Sequence, residues 1–259
     1  MKYENYIFDL YGTLVDIRTD EQKPELWEKL ALFYGYYDAL YTPEELKKRY
    51  GELVSGEEAE LKAQILKKEG SIEKKDDVHE AHPEIRIETV FLKLFEEKGV
   101  KADLTLAIHT GQFFRVLSTE YIRLYEGAEE LLAALKETGK PVYLLSNAQR
   151  IFTEYEMHTL GIAKYFDDIF ISSECSVKKP HERFFQMLLD KHEIRPKQSI
   201  MIGNDAVSDI AGAKKVGLHT CYIHSNISPA QTEVEKVDAD IVLHEMDLKK
   251  VRELLLEEV

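Results

Sequence analysis

Tyr6-Ile7-Phe8-Asp9-Leu10-Tyr11-Gly12-Thr13-Leu14-Val15-Asp16 opens the chain with an apolar run that stops at a carboxylate and then turns at a glycine. The run is short, rich in β-favouring residues and followed at once by Gly12, which predicts a buried parallel strand feeding a sharp loop rather than a first helical turn. Ligands of open α/β sheets bind beyond the carboxyl ends of strands, which is where this reading puts Asp9. A single aspartate there can equally do no more than cap a helix. The remainder of the chain decides between the two.

The 259 residues can form one large domain or two smaller ones, and 44% hydrophobic residues are ample for a packed core. Lys and Arg number 34 against 48 Asp and Glu, a net charge of -14. That balance argues against nonspecific binding to nucleic acid or to an anionic membrane surface, and a small anionic substrate would need a local cation. Cys175 and Cys221 stand apart among apolar neighbours, so neither a disulfide framework nor a zinc site is expected and a reducing cytoplasm fits. No signal-peptide pattern precedes the first strand, and no apolar segment is long enough to span a bilayer. The sequence thus predicts a soluble, cytoplasmic protein and specifies no oligomeric state.

After Asp16 the pattern turns helical. Pro24 to Tyr34 repeats its apolar residues at helical spacing, a second helix is expected from Thr42-Pro43-Glu44-Glu45 and a third within Gly56 to Lys68. Lys68 to Glu84 reads as a polar loop whose charges and histidines, His79 and His82, face solvent. Two amphipathic helices are expected near Ile87 to Lys98 and Leu104 to Tyr121, which makes residues 17–121 an all-helical insertion. Strand and helix then alternate: a helix over Ala128 to Thr138, and strands ending at Ser146-Asn147, at Ile171-Ser172 and at Gly203-Asn204-Asp205. Weaker strands follow at Thr220 to Ile223 and Ile241 to Leu243, with a closing helix after Met246. The alternation implies an α/β core of residues 1–16 and 122–259, with a mostly parallel, Rossmann-like sheet whose polar strand ends share one edge. Helix capping explains any one of Ser146, Asn147, Asp205 and Asp209, but explains poorly their joint arrival beside Asp9.

The ordered set Asp9-Leu10-Tyr11-Gly12-Thr13, Ser146-Asn147, Lys179-Pro180 and Gly203-Asn204-Asp205-Ala206-Val207-Ser208-Asp209 resembles the haloacid dehalogenase-like hydrolase superfamily. Each motif is weak alone; their order and spacing are specific, and the helical insertion is similar to that superfamily's substrate cap. The resemblance implies that Asp9 is the nucleophile, that Ser146, with Asn147 and Thr13, binds the transferred group, and that Lys179 holds that group and Asp9 together. It also implies magnesium held by Asp9, Asp205 and the backbone carbonyl of Tyr11, with Asp209 orienting Lys179 or metal-bound water. A carboxylate attacking an anionic phosphoryl group faces repulsion that a lysine and a bound cation offset. Lys178 is read as solvent-exposed. Arg115 and Ser118, late in the last helix of the insertion, are candidates to reach a substrate carboxylate or phosphate, against the plain alternative of a surface arginine.

Phosphatases of the superfamily usually carry a second aspartate two residues after the nucleophile, as proton donor and then base; here Tyr11 stands there. A tyrosine, with an ordinary pKa near ~10, donates hydrogen bonds but is a poor base at neutral pH. General acid-base help is worth roughly 10²- to 10⁴-fold, so its loss would slow hydrolysis of alkyl phosphates. The Asp-x-Tyr-Gly-Thr form resembles 2-haloacid dehalogenases, in which halide leaves without a proton, yet those enzymes work without metal and typically have serine where Asp205 stands. Three converging carboxylates instead favour a hard cation such as magnesium. The resulting expectation is a magnesium-dependent hydrolase acting on a small phosphorylated metabolite, with 2-haloacid dehalogenation as the alternative enzyme and a non-catalytic ligand-binding protein as the third reading. Replacing Lys179 by Ala is expected to cost more hydrolase activity than the same change at Lys178; kcat/KM in the opposite order would show that the lysine motif is read in the wrong register.

Overall fold

Tyr6, Ile7 and Phe8 of β1 (Asn5–Phe8) are completely buried, as a strand covered on both faces must be. In the computed structural model, which describes residues 3–69 and 83–256, the chain leaves the sheet through β2 (Val15–Thr19). Four helices follow: α1 (Pro24–Gly35), α2 (Pro43–Glu69), α3 (Ile87–Glu97) and α4 (Leu104–Ser118). The chain returns through β3 (Thr119–Leu124) and then alternates: α5 (Ala128–Glu137), β4 (Val142–Ser146), α6 (Arg150–Thr159), β5 (Asp168–Ile171), α7 (Ser172–Cys175) and α8 (Glu182–Lys191). After β6 (Ser199–Gly203) come a π-helical turn (Ala206–Ala211), α9 (Gly212–Lys215), β7 (His219–Ile223), β8 (Ile241–Leu243) and α10 (Leu248–Leu256).

The sheet is parallel in the order β5-β4-β1-β6-β7-β8, which confirms the expected Rossmann-like core. Phe8 lies level with Leu144 on one side and Ile202 on the other, so the carboxyl ends of β1, β4 and β6 come out side by side. Because side chains alternate along a strand, Tyr6 and Phe8 face one layer and Ile7 the other. The first layer packs Leu131, Leu132 and Leu135 of α5 with Leu248, Val251 and Leu255 of α10; the second packs Phe184, Phe185, Leu188 and Leu189 of α8. No described helix is long and apolar enough to cross a membrane, and both cysteines are free.

The insertion has a hydrophobic cluster of its own, built from Trp27, Leu30 and Tyr34 of α1, Leu46 of α2, Phe91, Leu94 and Phe95 of α3 and Phe114 of α4, with Ile151 of α6 joining from the core. Two expectations need correction. The insertion is not all-helical: α4 stops at Ser118, and β3 pairs antiparallel with β2, so both expected boundaries, 16/17 and 121/122, fall inside a two-stranded ribbon. Its β-favouring Thr119, Tyr121 and Ile122 suit a strand, and Arg123 and Tyr121 reach across to Asp16 at 2.8 and 3.2 Å. The helices expected at Thr42 and Gly56 are one, α2, because Leu46, Tyr50, Leu53, Val54 and Leu61 form a single stripe against the cluster. Gly51 and Gly56 cost helix propensity, about 1 kcal/mol each relative to Ala, without ending the helix. His79 and His82 lie outside the described residues.

Phe114 is 1% exposed, with ring centroids 5.3 to 5.7 Å from Tyr50, Phe91 and Trp27. Phe114→Ala is expected to destabilise the insertion by about 3–5 kcal/mol. The chain's one tryptophan is Trp27, so its fluorescence in a denaturant titration reads that loss directly.

Candidate active site

Asp9 continues the ladder of β1 by one residue, its amide donating to the Ile202 carbonyl at 2.9 Å. The chain then turns hard, with the Leu10 carbonyl accepting from the amides of Leu14 at 2.8 Å and Val15 at 2.9 Å. Gly12 has φ +88°, and a Cβ there would come within 2.3 Å of the Asn204 side chain. Only glycine meets both conditions, and its presence lets the β1 and β6 loops close on each other.

Lys179 enters between α7 and α8, and its ammonium is buried, 2.7 Å from Asp9 Oδ1 and 2.7 Å from Asp209 Oδ1. Burial opposes its charge, but Asp209 and Asp9 outweigh that and raise its pKa. Burial, reinforced by Asp9, pushes Asp209 up to about 7 against the pull of Lys179. Ser146 Oγ, at the tip of β4, donates to Asp9 Oδ1 at 3.2 Å. Asp9 Oδ1 thus carries two donors, whereas Oδ2 meets only the Thr13 hydroxyl at 3.5 Å among the described residues. Asp9, Tyr11, Ser146, Asn147, Lys179, Asp205 and Asp209 all line one polar cavity of 190 Å³.

Several expected roles change once the side chains are placed. Asn147 spends both polar ends on the lysine loop: its Nδ2 donates to the Lys179 carbonyl at 2.9 Å and its Oδ1 accepts from the Lys179 amide at 2.8 Å. It therefore positions Lys179. Thr13 is fully buried, with its hydroxyl between Asp9 and Asn204. Arg115 does not reach Asp9. Its guanidinium grips Glu156 of α6 at 2.6 and 3.2 Å and lies near the rings of Tyr11 and Phe152. Ser118 is turned back onto the Arg115 carbonyl. Lys178 is not free in solvent: its ammonium lies 3.8 Å from Glu84.

Tyr11 points its hydroxyl away from the nucleophile, donating to Glu156 Oε2 at 2.5 Å with Thr153 at 3.0 Å. Burial, then the adjacent Glu156, raise its pKa, so it stays a neutral donor. Glu156 and Thr153 were not legible in the sequence, where Glu156 sits in the run Glu154-Tyr155-Glu156 like any solvated helix acid. Their three-residue spacing on α6 is the signal that places them on one face. A cavity of 490 Å³, largely apolar, opens on the far side of this network, between α4 and α6.

The donor set suits a hard cation. Asp9 Oδ2 is lightly engaged, and Asp205 spends Oδ1 on the amides of Val207 at 2.8 Å and Ser208 at 2.9 Å, while no hydrogen bond to its Oδ2 is seen among the described residues. No group of three Asp, Glu, His or Cys side chains is gathered closely enough to hold a metal among those residues. The fit is therefore to two carboxylates, a backbone carbonyl and water, which magnesium accepts.

Glu156→Ala strands a mostly buried arginine and leaves the Tyr11 hydroxyl short of its best acceptor. It is expected to lower unfolding free energy by about 3 kcal/mol or more in denaturant titrations, whereas a joint Arg115→Met and Glu156→Leu exchange recovers most of the loss.

The glyceraldehyde 3-phosphate phosphatase of Methanothermobacter thermautotrophicus is 28% identical to this chain over 185 residues, 71% of this chain and 78% of that protein. A protein of the same name from Pyrococcus furiosus is 32% identical over 153 residues, 59% of this chain and 60% of that one. Among solved structures, the HAD-hydrolase YfnB of Bacillus subtilis, solved bound to magnesium, superposes with a TM-score of 0.51 at 20% identity, over 98% of this chain and 99% of that one. The family described as haloacid dehalogenase-like hydrolase matches residues 3–217, and with the buried Asp9–Lys179–Asp209 arrangement at the strand ends the chain belongs to that family.

Proposed function

We propose that the chain is a magnesium-dependent phosphatase acting on a small phosphorylated metabolite, with Asp9 as nucleophile. The observation that carries this reading is the Lys179 ammonium held at 2.7 Å from Asp9 beneath a polar cavity at the sheet's carboxyl edge. The relatives named for glyceraldehyde 3-phosphate support a phosphate ester as substrate. Its size follows from the cavity, which at 190 Å³ holds a phosphoryl group and little more. With its free thiols the chain suits the cytoplasm.

Asp9 Oδ2 attacks phosphorus, because Oδ1 is occupied by Lys179 and Ser146. The bond from phosphorus to the leaving oxygen breaks and an aspartyl phosphate forms; water then attacks that phosphorus, freeing Asp9 and inorganic phosphate. Lys179 neutralises charge between the reacting anions, and Asp209 keeps the ammonium aimed at Asp9. Magnesium held by Asp9, Asp205 and the Tyr11 carbonyl would supply the remaining positive charge. The helical insertion acts as the cap over the cavity. With Tyr11 turned to Glu156, the leaving oxygen has no side-chain acid at that position.

The Tyr11 side chain also favours a second reading, halide displacement from a 2-haloacid by the same Asp9 oxygen. Against it, Arg115, the candidate partner for a substrate carboxylate, is already paired with Glu156. Parallel measurements of phosphate and halide release, with and without magnesium, separate the two readings.

Asp9→Asn is expected to abolish turnover while leaving the circular dichroism spectrum unchanged, and substantial residual hydrolysis by the pure variant would show another mechanism. In calorimetric titration, Asp205→Ala should weaken magnesium binding strongly; equal affinity would remove Asp205 from the site. Rates on a phosphate ester series are expected to fall steeply as leaving-group pKa rises, with aryl and acyl phosphates ahead of alkyl ones. Tyr11→Asp should raise the alkyl rates by some part of the roughly 10²- to 10⁴-fold general-acid factor. Wild-type rates that ignore the leaving group, with no gain in the variant, would overturn the acid-deficient phosphatase.

A further inference from the structure

A second contact between cap and core lies away from the β2/β3 ribbon. After the cap's long helix the chain comes back to the core at Pro83, which bridges antiparallel to Val177, and the Glu84 amide donates to the Ser176 carbonyl at 3.5 Å. Glu84 then sends its side chain inward. Its Oε1 accepts from Gln149 Nε2 at 2.7 Å, its Oε2 accepts from Ser172 Oγ at 3.1 Å, and Lys178 Nζ lies 3.8 Å away. Gln149 completes the join: its Nε2 also donates to the Ile85 carbonyl at 2.9 Å, and its Oε1 accepts from the Ile87 amide at 3.0 Å at the start of α3.

The two core partners of Glu84 are neighbours of catalytic residues. Gln149 follows Ser146-Asn147 in the same loop, and Lys178 immediately precedes Lys179. Ser172, the third partner, accepts from the Ala148 amide at 2.9 Å, so it braces the Ser146-Asn147 loop from below. Asn147 in turn holds the Lys179 backbone through both of its polar atoms. Glu84 is thus a cap residue inserted where the loops bearing Ser146 and Lys179 meet. Burial raises the pKa of its carboxyl, and four donors or cations from the core would otherwise face an empty space there.

We infer that Glu84 is a positioning residue: docking of the cap through Glu84 and Gln149 aligns the Ser146 and Lys179 loops, so the phosphoryl site is complete only when this clasp is closed. The inference rests on the phosphatase reading for its kinetic consequence and on geometry alone for its structural one. A residue that only bound leaving groups would affect large substrates and spare the smallest. A positioning residue lowers kcat for all of them by a similar factor, because it sets the placement of groups that act on phosphorus, and misplacement by about 1 Å costs on the order of 10²-fold.

The test compares wild type, Glu84→Ala, Glu84→Gln and Gln149→Ala as full chains with magnesium. Acetyl phosphate and p-nitrophenyl phosphate serve as substrates with small or unrelated leaving groups, and amide hydrogen exchange is followed at Ala148, Lys179 and Ile87. Glu84→Ala should lower kcat roughly 10- to 100-fold on both substrates, with KM within about threefold, and speed exchange at those amides. Gln149→Ala should do the same, and the two changes together should cost little more than either alone. Glu84→Gln should restore most of kcat, since its amide oxygen can accept from Gln149 while its NH₂ donates to Ser172, whose own hydroxyl turns to the Ala148 carbonyl 3.2 Å away. Unchanged exchange at Ala148 and Lys179 in Glu84→Ala, or a kcat loss confined to one substrate, or no recovery in Glu84→Gln, would overturn the clasp. Should wild type release no phosphate in an Asp9-dependent way, the phosphatase reading falls, and the exchange data decide the clasp by themselves.

Discussion

One ammonium group organises this active site. Lys179 lies buried between two carboxylates that would repel each other without it, and three separate stretches of chain must converge for it to be there. A charge in that position is tolerated only while both partners stay within reach, because desolvation of an unpaired ammonium costs several kcal/mol. The parallel register that brings Phe8, Leu144 and Ile202 level is therefore a requirement of the site as well as of the sheet. So are the close approaches at Gly12 and at Gly203, where a Cβ would meet the Asp209 carboxylate at 2.2 Å. The pairing also divides the labour of Asp9, holding one oxygen and leaving the other to react.

Around that fixed centre, the chain surrounds its catalytic loops with contacts to the helical insertion. The Asp9 loop is tied through Tyr11 to Glu156 and so to Arg115 of α4; the Ser146 and Lys179 loops are tied through Gln149 and Lys178 to Glu84. These contacts are hydrogen-bonded and largely buried, which makes them directional in a way that apolar packing is not. They lie on two sides of the cavity, with the β2/β3 ribbon as the covalent connection. In this arrangement Tyr11 is a structural member of the interface between insertion and core. The chemistry that a carboxylate would perform at that position is missing because the side chain there serves a different contact.

The sequence by itself determined the class of fold and the members of the central site. Short apolar strands ending in polar residues have a period and a punctuation that local physics dictates, and Asp9, Ser146, Lys179 and Asp209 can be identified because each ends a recognisable strand or precedes a recognisable turn. Local pattern was not enough at Thr119 to Leu124, where helical periodicity runs on into residues that pair with β2 instead, nor at Gly56, where a continuous apolar stripe keeps α2 whole. What only the tertiary structure decided was the direction of side chains. Tyr11 could have faced the nucleophile, Arg115 a substrate and Lys178 solvent; Glu156 and Glu84, indistinguishable in the sequence from solvated acids, claimed all three. A buried polar group is satisfied by whichever partner the packing brings within about 3 Å. That partner stands 41 residues away from Arg115 and 145 from Tyr11, at separations over which local sequence pattern carries no information.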